Sequence, residues 1–300
     1  MILPASGDGG GPVIDGLVVV DKPAGCTSHD VVARIRRLAG TRRVGHGGTL
    51  DPMATGVLLV GIGRATRLLG HLAAADKSYT ATVRLGASTT TDDAEGEVVE
   101  IKPAGAVSEA AIGSALARLT GPIEQVPPAF SAVKLAGRPA YARARAGERV
   151  ELAARRVTVH RLELRELRRD GDSTELDLEV DCSTGTYIRA IARDLGVLLE
   201  VGGHLSALRR TRVAGFTLDA AHPLGAELSV LPLGEVVAAT FPRVDVDEEA
   251  ARLISHGVPL PPVGPGPVGV FGPDGAVLAL VADRDGAARP LVVFAGSGTL

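Results

Sequence analysis

Two stretches of strict alternation between apolar and polar residues constrain the fold of this chain more than any other feature. In KSYTATVRL (77–85) every second residue from Tyr79 is apolar, and in ELDLEVDC (175–182) every second residue from Leu176 is apolar. Successive side chains of a β-strand point to opposite faces, so this spacing predicts strands with one buried and one solvated face. The chain is therefore predicted to contain a sheet that is covered on one side.

Other stretches have the three- to four-residue spacing of amphipathic helices. In TSHDVVARIRRLAG (27–40), Ser28 is predicted to be the N-cap and Gly40 to end the helix. In TGTYIRAIARDLGVLL (184–199), the apolar residues again follow helical spacing, and Arg189 falls on the polar side. Alternating strands mixed with amphipathic helices predict an α+β fold.

Length and composition limit the class of protein. The 300 residues suffice for one large domain and a smaller one, and 45% hydrophobic with 22% charged residues describes a globular chain. No apolar run approaches the ~20 residues that span a bilayer, and the N-terminus lacks the pattern of an export signal. Cys26 and Cys182 are far apart and isolated. We expect a cytoplasmic protein without disulfides, membrane contact, bound metal or cofactor.

Changes in composition along the chain predict its organisation. Residues 1–13 are Gly-rich and are predicted to be a flexible lead-in, followed by a main domain over residues 14–240. Within that domain, residues 127–156 are basic, interrupted by Pro and Gly, and only weakly periodic, which is typical of a functional arm. Residues 241–300 combine a short helix with short strands and Gly/Pro turns, which predicts a small β-rich domain.

The net charge of −3 hides an uneven distribution of charge. Residues 31–70 contain seven arginines and one acidic residue, a net charge of +6, and residues 131–170 contain eleven basic and five acidic residues, also +6. From residue 216 onward, four arginines face ten acidic residues, a net charge of −6. A basic front and an acidic rear fit phosphate binding on one side of the molecule. The alternative is a composition that favours arginine, with charges scattered over solvated faces.

The loop VGHGGTLDP (44–52) places one carboxylate, Asp51, in a tightly constrained turn. Three glycines precede it and allow close backbone approach, and Pro52 limits the conformation of the exit. Such a loop can hold an acid in a fixed pose against a substrate. The alternative is an Asx-type turn in which Asp51 bonds only to backbone amides, and the local sequence leaves both open.

Other candidate motifs are weaker. GIGRAT (61–66) lacks the third glycine of a dinucleotide-binding loop, and TTTDDAEGEVV (89–99) lacks the EF-hand spacing, so it is interpreted as an acidic turn. Tyr79 and Tyr187 are scarce aromatic residues, each at the start of a predicted element. Taken singly, these residues and Arg189 are also compatible with two core tyrosines and a solvated arginine.

Taken together, several spaced motifs resemble those of the bacterial TruB-type tRNA pseudouridine synthases. In chain order they are GLVVVDKPAGCTSHDVV (16–32), VGHGGTLDPMATGVLLVGIGRAT (44–66), DKSYTATVRLGASTTTDDAEGEVV (76–99), PPAFSAVKLAGRPAYARARAG (127–147), CSTGTYIRAIARDLG (182–196) and GGHLSALRRTRVAGF (202–216). The likeness covers about residues 14–220. It implies a catalytic domain of pseudouridine synthase type with a mixed, mainly antiparallel sheet, followed by a small β-rich domain of PUA type.

The resemblance implies that the chain converts uridine 55 in the TΨC arm of tRNA to pseudouridine, as a monomer without an obligatory protein partner. It implies that Asp51 is the nucleophile, which attacks the flipped-out nucleotide at the base or at C1′ of the sugar. Arg189 would pair with Asp51, keep it charged and orient it. His46 would occupy the space that the nucleotide leaves in the RNA, and Tyr79 would stack on the uracil.

The resemblance also implies roles for residues around this pair. Tyr187 and Leu208 match positions that line the pocket, and Lys22 matches a position that supports the floor of the site. The basic arm 127–156 would close over the RNA. The acidic character of residues 241–300 argues against a strong contribution of that domain to RNA binding.

Three other functions remain open at this point. They are a non-catalytic protein that binds and folds tRNA on the same scaffold, a guide-RNA-dependent synthase that works in a ribonucleoprotein, and a hydrolytic nucleoside enzyme that releases uracil. The presence of both Asp51 and Arg189 argues against the first, because a pure binding protein does not need a desolvated acid. The lack of an evident partner-binding extension argues against the second.

Overall fold

The computed structural model describes residues 2–3, 15–135, 137–148 and 150–294. Its α-helices are α1 (Ser28–Leu38), α2 (Leu69–Ala73), α3 (Glu109–Arg118), α4 (Ala140–Arg145), α5 (Ile188–Leu198), α6 (Leu233–Thr240) and α7 (Glu248–Ser255). Short 3-10 helices span Gly63–Leu68 and Leu218–Ala220. None of the described helices is long and apolar enough to cross a membrane.

The strands of the first half of the chain are β1 (Ile2–Leu3), β2 (Gly16–Lys22), β3 (Val44–Gly47), β4 (Thr55–Ile62), β5 (Lys77–Leu85), β6 (Ala87–Thr89), β7 (Val98–Ile101), β8 (Gly121–Gln125), β9 (Lys134–Leu135) and β10 (Arg138–Pro139). Those of the second half are β11 (Arg155–Asp170), β12 (Ser173–Cys182), β13 (Gly203–Val213), β14 (Phe216–Thr217), β15 (His222–Pro223), β16 (Leu228–Ser229), β17 (Leu231–Pro232), β18 (Arg243–Asp245), β19 (Val268–Phe271), β20 (Val277–Arg284) and β21 (Ala287–Val293).

The chain divides into two compact units. The first comprises Met1–Leu50, Val57–Ala73 and Ala214–Leu300, and the second comprises Asp51–Gly56 and Ala74–Val213.

The second unit is built on a sheet of strand order β13-β5-β12-β11-β8, in which all neighbours are antiparallel. The two alternating stretches of the sequence form its adjacent strands β5 and β12, with Tyr79 opposite Val180. Buried and accessible side chains alternate along both strands, as the spacing predicts. The first two residues of β4 pair in parallel with Arg209 and Arg210 of β13, which makes the pairing mixed. The predicted α+β class with a mixed, mainly antiparallel sheet is confirmed.

In the first unit, β2 pairs in parallel with β15 and antiparallel with β17, and β3 pairs antiparallel with β4. A four-stranded sheet of order β18-β19-β20-β21 lies towards the C-terminus. Its apolar core is formed by Ile254, Leu260, Val268, Val270, Ala279, Val281 and Ala288. The helix α7 and these short strands confirm a small β-rich C-terminal domain, while its boundary at residue 241 stays a prediction.

Two other predicted segments are only partly covered by the description. Of the predicted lead-in 1–13, residues 2–3 form β1, which pairs with β16, and the remainder lies outside the described residues. The predicted arm 127–156 contains β9, β10 and α4, and its residues 136 and 149 lie outside the description.

Helix α1 is capped by Thr27, so the prediction that Ser28 is the N-cap is wrong. The Thr27 hydroxyl accepts a hydrogen bond from the backbone N–H of Asp30 at 3.1 Å, and the Asp30 carboxylate accepts one from the backbone N–H of Thr27 at 2.8 Å. This reciprocal capping box needs an acceptor side chain three residues after the cap. Thr27 has Asp30 in that place, whereas Ser28 has Val31.

The Ser28 side chain instead holds the chain segment that leads to Asp51. Its buried hydroxyl accepts a hydrogen bond from the backbone N–H of Leu50 at 2.9 Å and lies 3.2 Å from the Leu50 carbonyl, to which it donates. Leu50 directly precedes Asp51. The Ser28 hydroxyl therefore forms hydrogen bonds with both the backbone N–H and the backbone C=O of Leu50, the residue before the candidate catalytic acid Asp51.

We predict that Ser28→Ala lowers the free energy of unfolding by about 1–3 kcal/mol, because it leaves the buried N–H and C=O of Leu50 without this partner. The neighbouring Thr27→Ala is the matched control and should cost ~1 kcal/mol through loss of the cap. Urea unfolding of both variants measures the difference. A Ser28→Ala variant as stable as wild type would show that this link does not constrain the loop.

Candidate active site

Asp51 forms a two-point ion pair with Arg189, the second residue of α5. Arg189 Nε lies 2.9 Å from Asp51 Oδ2, and Arg189 Nη2 lies 3.2 Å from Asp51 Oδ1. Two N–H groups of one guanidinium edge thus face both carboxylate oxygens, a geometry that fixes orientation as well as distance. The alternative that Asp51 bonds only to backbone amides is therefore wrong.

Burial of the two partners is strongly unequal. The side chain of Arg189 is 5% exposed and that of Asp51 is 35% exposed. The alternative of a solvated arginine is wrong, although the residue spacing puts Arg189 on the polar side of the predicted helix. A buried cation must be paired and hydrogen-bonded, whereas the accessible carboxylate of Asp51 can be reached by a substrate.

The remaining N–H groups of Arg189 find partners from two other parts of the second unit. Nη1 donates to the carbonyl of Thr91 at 2.9 Å and lies 3.5 Å from Asp93 Oδ2, and Nη2 donates to the carbonyl of Phe130 at 2.8 Å. The guanidinium is therefore held by two carboxylates and two carbonyl groups. Such a cation has little freedom to turn away from Asp51.

Asp93 is a site residue that the sequence did not reveal. It is buried, and its carboxylate accepts hydrogen bonds from the Thr91 hydroxyl at 2.5 Å and from the backbone N–H of Glu95 at 3.1 Å. It belongs to the stretch TTTDDAEGEVV (89–99), which the sequence pattern predicts to be an acidic turn. Its neighbour Asp92 has a φ of 60°, a left-handed conformation found mainly at turns, which agrees with a turn in this stretch. Nothing in the sequence indicates that the second acid points inward.

Tyr79 and Leu208 lie next to each other on the buried face of the sheet. Leu208 is paired with Ala81 in the register of β13 and β5, and Arg210 is paired with Tyr79. Burial raises the pKa of the Tyr79 phenol, with Arg210 acting against the shift and the Asp51 carboxylate adding to it. The Tyr79 ring is consequently a neutral aromatic face within electrostatic range of Asp51.

Tyr187 is the N-cap residue of α5 and is held through its backbone. Its N–H donates to the side-chain oxygen of Gln125 at 2.8 Å, and its carbonyl accepts from the side-chain nitrogen of Gln125 at 3.2 Å. Its ring faces the guanidinium of Arg155, whose Cζ is 5.8 Å from the ring centroid. The structure thus places Asp51, Tyr79, Tyr187, Arg189 and Leu208 in one compact unit.

The other two predicted site residues, Lys22 and His46, belong to the first unit. Lys22 is fully buried, and its ammonium donates to the carbonyls of Pro23 at 2.9 Å and Cys26 at 2.7 Å. It therefore stabilises the turn after β2. His46 lies on β3 with its ring edge-on to the ring of His29, at a centroid distance of 5.6 Å and an interplanar angle of 79°.

The second unit also contains a cavity of about 430 Å³. Its lining includes the predicted site residue Leu208 together with Met53, Thr80 and Asp177, but not Asp51. Among the described residues, no group of three or more His, Cys, Asp or Glu side chains is arranged to hold a metal ion.

Comparison with known proteins identifies the family of the chain. Residues 36–188, more than half of the chain, match the TruB family pseudouridylate synthase (N terminal domain). Residues 189–227 match the tRNA pseudouridylate synthase B C-terminal domain, and residues 241–295 match the C-terminal domain of tRNA pseudouridine synthase II. The chain belongs to the TruB family of pseudouridylate synthases.

Relatives within the TruB family match nearly the whole chain. The tRNA pseudouridine synthase B of Thermobifida fusca is 60% identical over 291 residues, which cover 94% of this chain and 99% of the relative. That of Streptomyces griseus is 56% identical over 291 residues, which cover 94% and 97%. The resemblance inferred from the spaced motifs is thereby confirmed.

Solved structures confirm the pseudouridine synthase fold. A chain in the crystal structure of a Cbf5-Nop10-Gar1 complex aligns with a TM-score of 0.67 and 27% identity, covering 93% of this chain and 85% of that chain. A chain in an H/ACA RNP bound to a substrate RNA containing 2'-deoxyuridine aligns with a TM-score of 0.65, covering 99% and 95%. At 23% identity, the second match concerns the fold alone.

The buried face of β5 also carries the ionisable side chain of Lys77, two residues before Tyr79. Burial, with a contribution from Arg210, lowers the pKa of the Lys77 ammonium to about 8. The folded state therefore binds fewer protons than the unfolded state between pH 8 and about 10.5, so this group makes stability rise with pH there. Lys77→Met removes the ionisable group.

We predict that the stability of Lys77→Met relative to wild type falls by up to ~3 kcal/mol as the pH rises from 7 to 11. Denaturant unfolding of both proteins at the two pH values measures this difference. An unchanged difference would show that Lys77 keeps its ordinary pKa in the folded protein.

Proposed function

We propose that this chain isomerises uridine 55 in the TΨC arm of tRNA to pseudouridine. The observation that carries the proposal is the pairing of the accessible Asp51 with the buried Arg189. Membership of the TruB family and the high identity to proteins named tRNA pseudouridine synthase B support the reaction and the class of substrate. The position in tRNA and the residue roles follow from the family resemblance of the motifs.

Asp51 is the nucleophile in this proposal. The reaction breaks the N1–C1′ bond of uridine and forms a C5–C1′ bond, while C5 loses its hydrogen as a proton and N1 gains a proton. Atoms and electrons balance without an external reactant, so the site needs a nucleophile and a pocket in which the base can turn. Arg189 keeps the Asp51 carboxylate in one orientation and compensates its charge in both the free and the bound state.

The target nucleotide must leave the RNA stack, which costs a few kcal/mol. Tyr79 offers a neutral aromatic face to the extruded uracil, where stacking contributes ~1–3 kcal/mol. Leu208 and Tyr187 line the pocket, His46 takes the place of the nucleotide in the RNA, and Lys22 supports the floor of the site.

RNA binding in this proposal relies on phosphate contacts from basic residues, including those of the arm 127–156. Arg138 and Arg145 belong to this arm, and the side chain of Arg138 is 63% exposed. Such contacts release counterions, so affinity falls with salt concentration. The protein acts as a monomer, without a cofactor and without an obligatory protein partner.

The experiment that tests the function is tritium release from tRNA that carries [5-³H]uridine. We expect wild type to release about one equivalent per tRNA, because the C5 hydrogen is expelled, and Asp51→Asn to release none while its RNA affinity stays within about tenfold, since phosphate contacts carry most of the binding. The reaction mixture contains no other protein or guide RNA.

The control substrate is the same transcript with cytidine at position 55, which should release nothing. Release from that transcript would contradict the position, and release by Asp51→Asn would contradict the nucleophile. Binding by wild type without release would favour the RNA-folding alternative. Activity only after a guide RNA and partner proteins are added would favour the ribonucleoprotein alternative, and free uracil would indicate hydrolysis.

The salt dependence of tRNA binding tests whether the arm 127–156 contacts phosphates. Replacing Arg138 and Arg145 together by Gln should flatten the plot of log Kd against log salt concentration by up to about two units, because each lost phosphate contact lowers the slope by roughly one. Arg161→Gln is the matched control, because Arg161 lies on β11 outside the arm and pairs closely with Glu163 at 2.7 Å and Glu179 at 3.0 Å, whereas Arg138 of the arm lies 3.5 Å from Glu148. Equal slopes for all three proteins would place the phosphate contacts elsewhere.

A further inference from the structure

The segment that leads from β8 into the arm is tied to α5 by a buried glutamine. We define the arm root as residues 125–133. Gln125 is fully buried, and its side-chain amide forms two hydrogen bonds with the backbone of Tyr187, at 2.8 Å and 3.2 Å. Both ends of the amide are used, which fixes the distance and the rotation of the two segments relative to each other.

The start of α5 depends on this pairing. Tyr187 is the N-cap residue and makes no side-chain capping hydrogen bond, since tyrosine lacks the short acceptor that favours this position. Gln125 therefore supplies from a distant strand the restraint that the local sequence does not provide. Arg189 lies two residues further along the same first turn.

Two further hydrogen bonds tie the arm root to the same helix. Arg193 Nη2 donates to the carbonyl of Val126 at 2.8 Å, and Arg189 Nη2 donates to the carbonyl of Phe130 at 2.8 Å. The nitrogen that holds Phe130 is the one that lies 3.2 Å from Asp51 Oδ1. A shift of the arm root thus moves a direct partner of the Asp51–Arg189 pair.

At its other end, the arm root is bonded to the helix of the arm. The carbonyl of Ser131 accepts from the N–H of Tyr141 at 3.0 Å, and the carbonyl of Val133 accepts from the N–H of Ala140 at 2.7 Å. Both donors begin α4. The adjacent residues Phe130 and Ser131 therefore link the guanidinium of Arg189 to the arm helix, one hydrogen bond on each side.

We propose that Gln125 is a positioning residue that couples the arm to the catalytic ion pair. By holding the arm root against the first turn of α5, Gln125 sets the place of the Phe130 carbonyl and of Arg189. Contact of RNA phosphates with the arm then acts on the Asp51–Arg189 pair through this connection. The catalytic part of this inference rests on the proposed function, whereas the anchoring of the arm does not.

Gln125→Met keeps the length of the side chain and removes both hydrogen bonds, and Glu124→Gln, at an accessible position of the same strand, is the matched control. In single-turnover tritium release, we expect the rate constant of Gln125→Met to fall 10- to 100-fold. Its Kd for tRNA should stay within about threefold of wild type, and the control should match wild type in both quantities.

In an Arg189→Lys background, Gln125→Met should lower the rate constant by less than a further threefold. Equal losses in both backgrounds would overturn the coupling, because Gln125 would then act independently of Arg189.

Amide hydrogen exchange on the free protein tests the anchoring without reference to activity. In Gln125→Met, the N–H groups of Ala140 and Tyr141 should exchange at least tenfold faster than in wild type, while those of α3 are unchanged. Unchanged exchange at Ala140 and Tyr141 would overturn the anchoring, even if wild type proved inactive on tRNA. If Gln125→Met does not fold, Arg193→Gln, which removes the neighbouring hydrogen bond to Val126, replaces it in the tritium-release and hydrogen-exchange experiments. The same results are then expected, and the same results would overturn the proposal.

Discussion

The ion pair between Asp51 and Arg189 is the interaction on which the rest of the second unit depends. A guanidinium that is almost fully buried is tolerated only when its hydrogen bonds are satisfied. Its partners come from three separate stretches of chain: the loop of Asp51, the turn at 91–93 and the arm root. Removing one partner leaves a buried charge less compensated, so these stretches are constrained together although they are far apart in sequence.

The backbone on both sides of Asp51 is also held by hydrogen bonds. Ser28 fixes the backbone of Leu50 just before it, and the first residues of β4 pair with β13 just after it. The neighbouring sheet presents Tyr79 and Leu208 on its buried face. A single accessible carboxylate is thereby held beside an apolar, aromatic surface, which suits a reaction that needs one oriented nucleophile and space for a base to turn.

The sequence predicted those features that depend on local patterns. Strict alternation identified β5 and β12, and glycines around a single acid singled out the loop of Asp51. The sequence also contains a signal for the N-cap of α1, since Asp30 follows Thr27 by three residues, but the adjacent Ser28 is a residue type that is at least as common at this position. The burial of Arg189, the inward turn of Asp93 and the pairing of Gln125 with Tyr187 had no local signal. Each depends on a partner 59 to 138 residues away: 59 residues separate Phe130 from Arg189, 62 separate Gln125 from Tyr187 and 138 separate Asp51 from Arg189. Residue spacing within one element carries no information about such contacts.

The most direct test of this account is the single-turnover rate constant of Arg189→Lys, measured together with its Kd for tRNA. Lysine keeps the positive charge but cannot reproduce the two-point contact with Asp51 or the further bonds of the guanidinium. The account predicts a rate constant reduced at least 100-fold in a folded protein whose Kd changes less than threefold. A rate constant close to that of wild type would show that the charge alone suffices, and that the geometry of the Asp51–Arg189 pair is not what the reaction requires.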